Sequence, residues 1–265
     1  MVIEILKPET IQEALKARAL PGTAFLGGGT WLNATRSTQP VTLISLEKLG
    51  LQSIEARGNQ CVVGAAATFQ QIVDCPAVPA GLRAAAGLTA SRTLRNMMTI
   101  GGEIALHPPD SALVPLLLAM EAEISLAGKK KPVPIRDFLS GEGDGLILSV
   151  VITKPLRPAA VRAVSRTSHG PRSLVVAACA ETLHPEVSGL RVVVADCRGS
   201  PVRLSRLERS LEGRQLPSRP ELESALGNEF SPVADVHASS RYKAYMTRVL
   251  VADALETSQR GKATA

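Results

Sequence analysis

Apolar and polar positions along the chain change texture near residue 50. Residues 3–6 form a short apolar run, followed by Thr10-Ile11-Gln12-Glu13. This is the Ser/Thr-x-x-Glu pattern of a capping box, in which each side chain satisfies an orphaned backbone donor. Ile11, Ala14, Leu15 and Ala19 recur at helical spacing with Lys16 and Arg18 opposite, which predicts an amphipathic helix ended by Pro21-Gly22. Residues 23–26 read as a strand running straight into Gly27-Gly28-Gly29-Thr30, and 41–46 as another. Further on, 53–56 and 61–66 flank Arg57-Gly58-Asn59-Gln60 as a hairpin, Thr68 caps a helix through Val73, and an Ala-rich helix is expected over 82–96. Thr99-Ile100-Gly101-Gly102 follows. Asp110 or Ser111 then heads a buried helix through Met120, and strands are expected at 121–126 and 146–152 with a glycine-rich loop at 141–145.

Lys154-Pro155-Leu156-Arg157-Pro158 reads as a linker, because its prolines keep the chain extended. Three strand-like runs (161–166, 174–183, 190–196) precede three helical ones (204–211, 220–226, 241–255). Strands followed by helices indicate an α+β fold rather than a doubly wound parallel sheet. Residues 258–265 are small and polar and are expected to fray.

Composition narrows the function classes. The chain has 265 residues, 45% hydrophobic and 20% charged, as in ordinary globular proteins. At roughly 150 residues per domain it holds one large domain or two small ones. The longest apolar run, 112–120, is broken by Pro115 and is about half a bilayer span, and the first residues lack a secretory pattern. A soluble, cytoplasmic protein that enters no membrane is expected. Cys61, Cys75, Cys179 and Cys197 are scattered without a C-x-x-C pair, so a metal or iron–sulfur site held by this chain alone is not expected. Lys129-Lys130-Lys131 before Pro132 is a solvated turn, and aromatics at 3% give no stacking platform for nucleic acid. His107, His169, His184 and His237 form no triad pattern, and no catalytic residue is identified.

The glycine turns at 27–30 and 101–102 carry the candidate chemistry. Glycine allows positive φ and close approach to the backbone, and successive N–H groups make a cradle for an anion. A helix opening after Thr30 adds its dipole. Two such cradles can converge on one diphosphate. Structural turns remain the commoner explanation on spacing alone, and neither a G-x-G-x-x-G Rossmann fingerprint nor a P-loop is present.

Phe25-Leu26-Gly27-Gly28-Gly29-Thr30-Trp31-Leu32 resembles the Ala-Gly-Gly-Thr-Asp-Leu segment of the FAD-binding medium subunits of molybdenum hydroxylases, the xanthine dehydrogenase and carbon monoxide dehydrogenase family. Arg95-Asn96-Met97-Met98-Thr99-Ile100-Gly101-Gly102-Glu103-Ile104-Ala105 resembles that family's Arg-Asn-x-x-Thr-Ile-Gly-Gly-Asn-Ile-Ala signature. Val63-Gly64-Ala65, Leu146-Ile147-Leu148-Ser149, Ser165-Arg166, Leu211-Glu212-Gly213 and Ser240-Arg241-Tyr242 extend the resemblance over almost the whole chain. It is nearest a short stand-alone bacterial form.

The resemblance implies a two-lobed FAD-binding domain of the PCMH/vanillyl-alcohol oxidase type over residues 1–157, with lobes of about 1–49 and 50–157. A C-terminal domain of the CO dehydrogenase flavoprotein type, 158–265, would follow with a three-stranded antiparallel sheet and helices. FAD would lie between the lobes, held by amides of Gly27, Gly28, Gly29 and Thr30 and of Thr99, Ile100, Gly101, Gly102 and Glu103, with Leu26, Trp31 and Ser111 alongside. Leu148 would pack on the isoalloxazine and Arg162 would lie near its pyrimidine edge. The implied function is electron transfer from [2Fe–2S] clusters on a small subunit to an acceptor, in a complex whose large subunit carries the molybdenum cofactor. The alternative is a scaffold or assembly subunit with weak or lost flavin. A lone flavin oxidase is disfavoured, since the C-terminal region is short for a substrate cap. Trp31 and Ala112 stand where the family carries Asp, and Glu103 where it carries Asn, which implies weaker FAD retention than in a typical member.

Overall fold

The computed structural model describes residues 1–34, 39–89, 91–141, 145–167, 170–197 and 199–260. The chain opens with β1 (Val2–Leu6), α1 (Ile11–Arg18), β2 (Thr23–Leu26), the short α2 (Thr30–Ala34) and β3 (Val41–Ser45). Thr10 Oγ1 accepts the Glu13 amide at 3.2 Å, while the Glu13 carboxylate returns to the Glu9 amide at 2.9 Å, one residue before the expected partner. The strands form a parallel sheet in the order β1-β3-β2. Against it α1 lays Ile11, Ala14, Leu15 and Ala17, which pack with Ile44. Ala19, expected on that stripe, is the C-cap and stays exposed.

The middle of the chain comprises β4 (Ile54–Arg57), β5 (Gln60–Gly64), α3 (Phe69–Asp74), α4 (Ala80–Leu88), α5 (Arg92–Arg95), α6 (Ile100–Leu106), α7 (Leu113–Ala119), β6 (Glu123–Leu126), β7 (Val133–Pro134), α8 (Ile135–Leu139) and β8 (Ile147–Thr153). Its strands pair antiparallel in the order β4-β5-β8-β6-β7, and Arg57 meets Gln60 across the two-residue turn Gly58-Asn59. The helix expected over 82–96 is broken in two. Thr89 is extended and its hydroxyl donates back to the Ala85 carbonyl at 3.2 Å, while Ser91 caps α5 through the Leu94 amide. Short polar side chains compete with the helix ladder in this way. Part of the glycine-rich loop, 142–144, lies outside the described residues.

Beyond the linker come β9 (Ala159–Ser165), β10 (Arg172–Cys179) and β11 (Arg191–Ala195), an antiparallel meander extended at its edge by the two-residue β12 (Val202–Arg203). The expected three strands are thus joined by a fourth. Helices α9 (Ser205–Leu211), α10 (Arg219–Ala225) and α11 (Ser240–Arg260) complete the chain. Fraying expected from 258 is not seen as far as Arg260, where α11 ends; 261–265 lie outside the described residues. Every residue of β10 is buried. Strand residues alternate between faces, so Val175, Ala177 and Cys179 enter the core shared with α4 and α7, while Leu174, Val176 and Ala178 pack with Val251 and Leu255 of α11. Among the described residues, no helix is long and apolar enough to cross a membrane.

Candidate functional site

The two glycine turns touch. β2 ends in Gly27, and the chain turns through Gly28 and Gly29 before α2 begins. A Cβ on Gly28 would fall 1.5 Å from the Met97 carbonyl oxygen, a distance that only glycine avoids. On Gly27 it would lie 2.8 Å from Thr99 Oγ1, and on Gly102 2.9 Å from that same oxygen. Gly29 has φ +71°, in the left-handed region that favours glycine. Thr99, the N-cap of α6, thus joins the two turns, its hydroxyl accepting the Gly102 amide at 3.2 Å.

Above this junction lies a cleft of about 670 Å³, within the range of small-molecule sites. One wall is Gly27, Gly28, Gly29, Thr30 and Trp31; the other is Thr99, Gly102 and Glu103. Trp31 is half exposed at the rim. Among the described residues, the N–H groups of Gly27, Gly28, Gly29 and Thr30 donate to no protein acceptor. They form a cradle of free donors at the start of α2, which suits a phosphate. A diphosphate nucleotide fits this wall.

The second wall differs from the one expected. The Ile100 amide donates to Ala67 O at 3.1 Å, Gly101 to Ala65 O at 2.8 Å, and Glu103 to Thr99 O at 3.0 Å. The segment after β5 runs beside Thr99, bridged to it through Thr68, and its carbonyls meet the start of α6. Gly101 is needed for that docking, since its Cβ would lie 2.7 Å from the Ala65 methyl. These amides hold α6 in place and are not open to a ligand. Ile100 and Gly101 lie buried beneath the cleft.

Glu103 and Ser111 form a buried pair. Ser111 Oγ lies 2.6 Å from Glu103 Oε1 and accepts the Leu113 and Val114 amides at 3.2 and 3.1 Å, so it caps α7 and does not reach the cleft. Glu103 is 6% exposed. Burial pushes its carboxyl up to about 7, opposed by the Ser111 hydrogen bond, with Asp110 adding to the rise and Arg172 counteracting it. Arg95 does not neutralise it: that guanidinium donates to Gln70 Oε1 at 3.1 Å and to Gly87 O at 3.3 Å.

Three sequence candidates lie away from the cleft wall. Leu26 supports the cradle from below, its Cδ1 3.3 Å from where a Gly29 Cβ would be. Leu148 packs into the small core under α1, and its carbonyl accepts the Ala65 amide at 2.9 Å. Arg162 on β9 donates to Val161 O and to Thr257 on α11, which holds it within the C-terminal region. Conversely, Phe25, Leu94, Met98, Leu106, Pro108 and Asp110 line the cleft without having been singled out as site residues. Phe25 and Met98 stand inside the two quoted signatures, and Leu106 follows Gly102 and Glu103 at helical spacing. Leu94 and Asp110 carry no local signal; folding alone brings them there.

Other titratable groups have structural surroundings. Cys61 and Cys179 are buried and their thiols are pushed up to about 11 by desolvation. His107 closes α6 as an exposed C-cap at φ 34°, and His169 lies outside the described residues.

Residues 1–155 match the family described as the FAD binding domain in molybdopterin dehydrogenase. The chain belongs to that family. Like its other members, it is an oxidoreductase component with an FAD-binding domain. YgfM of Escherichia coli strain K12 is 35% identical over 257 residues, covering 96% of this chain and 95% of that protein. The nicotinate dehydrogenase FAD-subunit of Eubacterium barkeri is 28% identical over 174 residues, covering 57% and 58%. Carbon monoxide dehydrogenase from Hydrogenophaga pseudoflava, solved without the Mo-pyranopterin moiety, shares the fold at a TM-score of 0.86 and 23% identity, covering 98% of each chain. The α+β architecture with its C-terminal antiparallel sheet is therefore that of the CO dehydrogenase medium chain.

Proposed function

We propose that this chain is the electron-transfer flavoprotein subunit of a molybdenum hydroxylase-like complex, receiving electrons from [2Fe–2S] clusters of a small subunit and passing them to an acceptor. The observation that carries this reading is the row of unspent amides at Gly27, Gly28, Gly29 and Thr30, facing α6 across one cleft. In this reading they hold the FAD diphosphate. Thr99 sets the spacing of the two walls, Gly102 leaves room for the cofactor chain, and Trp31 covers the outer side. When bound, FAD supplies redox chemistry that joins one-electron and two-electron partners; the protein supplies binding, orientation and exclusion of water.

The remaining partners and boundaries follow from the same reading. The molybdenum cofactor and the clusters reside on a large and a small subunit, as the family assignment suggests. The complex works in the cytoplasm. FAD-binding residues 1–157 precede a C-terminal unit of 158–265, a division supported by the end of the family match at residue 155. Tyr242 and Tyr245, exposed on α11, are available to a partner subunit.

A second reading, a scaffold subunit with weak flavin, draws support from the buried Glu103 carboxyl and the spent amides of α6. Capture of the tagged chain from its native host, with molybdenum, iron and flavin assayed in the recovered complex, separates the two. Stoichiometric flavin with both metals supports electron transfer. Both metals without flavin support the scaffold, and recovery of the chain alone overturns both.

A further inference from the structure

We propose that Glu103 is a proton-coupled binding residue: its carboxyl takes up a proton as the FAD diphosphate enters the cleft and meets the phosphate as an O–H donor instead of an anion. This rests on the FAD reading above and adds to it a dependence on pH that the free amides alone would not produce.

The hydrogen-bond directions around Glu103 are forced. Ser111 has one proton to give and two lone pairs, and its oxygen already accepts the Leu113 and Val114 amides. Its hydroxyl therefore donates to Glu103 Oε1, 2.6 Å away. Glu103 Oε2 takes no protein donor, and Glu103 forms part of the cleft wall across from the glycine cradle. A proton on Glu103 thus belongs on Oε2, the oxygen that Ser111 leaves free.

The anionic form is only partly compensated. Asp110, between α6 and α7, adds negative charge. Among the described residues the cation acting on Glu103 is Arg172 of β10, and it is engaged by Asp110, with Nη1 3.1 Å from the Asp110 carbonyl and 3.9 Å from its carboxylate, and by the Leu88 carbonyl. β5, β8 and α7, which make the most extensive contact with α6, contain no charged side chain, and Cys61 of β5 is a neutral buried thiol. His107 ends the same helix on the exposed side. The free carboxyl, lifted to about 7 by burial, is already half protonated near neutrality. A diphosphate beside it raises that value further, because like charges disfavour ionisation. Charge-assisted O–H···O⁻ bonds are among the stronger hydrogen bonds, so the protonated form gains a contact that the anion lacks.

The test is FAD titration of the full-length protein, stripped of flavin, at pH values from 6 to 9, for wild type and Glu103→Gln. Trp31 and flavin fluorescence report binding, and calorimetry at pH 8 in HEPES and Tris reports proton exchange. The expected result is a wild-type Kd that rises by up to about tenfold per pH unit above 7, with close to one proton taken up at pH 8. Glu103→Gln should bind with a Kd nearly independent of pH and without uptake. Wild-type binding that is flat with pH, or an unchanged slope in the variant, overturns the proposal and leaves the FAD reading standing. Calorimetric proton uptake in the wild type guards against a variant that fails to fold, and its absence also counts against the proposal. Failure of wild type to bind FAD at any pH overturns both.

Discussion

Gly28 and Glu103 contribute to the cleft in opposite ways. Gly28 lets the first turn lie directly on the Met97 carbonyl, so Gly28→Ala forces that loop apart. FAD affinity is expected to fall at least about tenfold, the usual scale of a misplaced binding group, as measured by equilibrium titration. Glu103 carries a stability cost with a definite sign. Its carboxyl is raised in the folded chain from an ordinary 4.5 to about 7, so the folded state holds the extra proton between those values. Stability from this group is therefore lost as pH rises from 4.5 to 7, and the cost is complete above that. Glu103→Gln should raise Tm at pH 8, by an effect on the order of 3 kcal/mol, and by much less at pH 5; equal shifts at both pH values would contradict this. Glu103→Asn should tighten FAD at pH 8, read by the same titration. Both glycine turns were legible in the sequence because glycine leaves few alternatives. The Ser111 contact to Glu103 was not, since it depends on how α6 and α7 cross.

Helix α6 shows why amide donors cannot be assigned from a motif alone. Its first turn has the residues of a phosphate cradle, yet the carbonyls of Ala67 and Ala65 take the Ile100 and Gly101 amides and Thr99 takes those of Gly102 and Glu103. Local pattern gave the hairpin at residues 58–59, the capping roles of Thr10 and Thr68 and the longer strands of both antiparallel sheets, but not the two-residue edge strands β7 and β12. It did not give the break between α4 and α5, which follows from the Thr89 hydroxyl. Gly87, near the end of α4, has ordinary backbone and only Val73 Cγ2 at 3.9 Å from a Cβ position, so Gly87→Ala should stabilise the protein by up to about 1 kcal/mol in urea unfolding. Arg172 does the reverse. From β10 it ties the Leu88 and Asp110 carbonyls to the C-terminal sheet while 8% exposed. Arg172→Ala leaves those acceptors without their donor and should cost about 2–3 kcal/mol in the same assay.

Across the whole molecule the cores are unequal. The cluster between α1 and the parallel sheet at the start of the chain has Ala14, Ile44 and Leu146 as its buried residues, whereas β10 belongs to both larger cores. Hydrogen exchange should be fastest in residues 1–45 and slow along β10 and β11, and FAD should slow exchange first around residues 27–30. Near α11, Lys243 is fully buried; its ammonium donates to Asp196 O and Val233 O at 2.9 Å each and pairs with Asp235 Oδ2 at 2.6 Å. The general fold class was visible from the order of strands and helices. That one strand serves two cores was not, because alternation within an all-apolar run such as Leu174-Val175-Val176-Ala177 has no polar face to mark it. The cradle at 27–30 is expected to hold FAD, and the sole tryptophan, Trp31, stands beside it. Titration of FAD into the flavin-free protein, followed by Trp31 fluorescence, reads occupancy of the cradle itself. The expected result is saturable quenching at one FAD per chain, weakened in Gly28→Ala with the fold intact by circular dichroism; wild-type protein showing no saturable quenching, or a folded Gly28→Ala variant binding equally well, would overturn the assignment of the cradle.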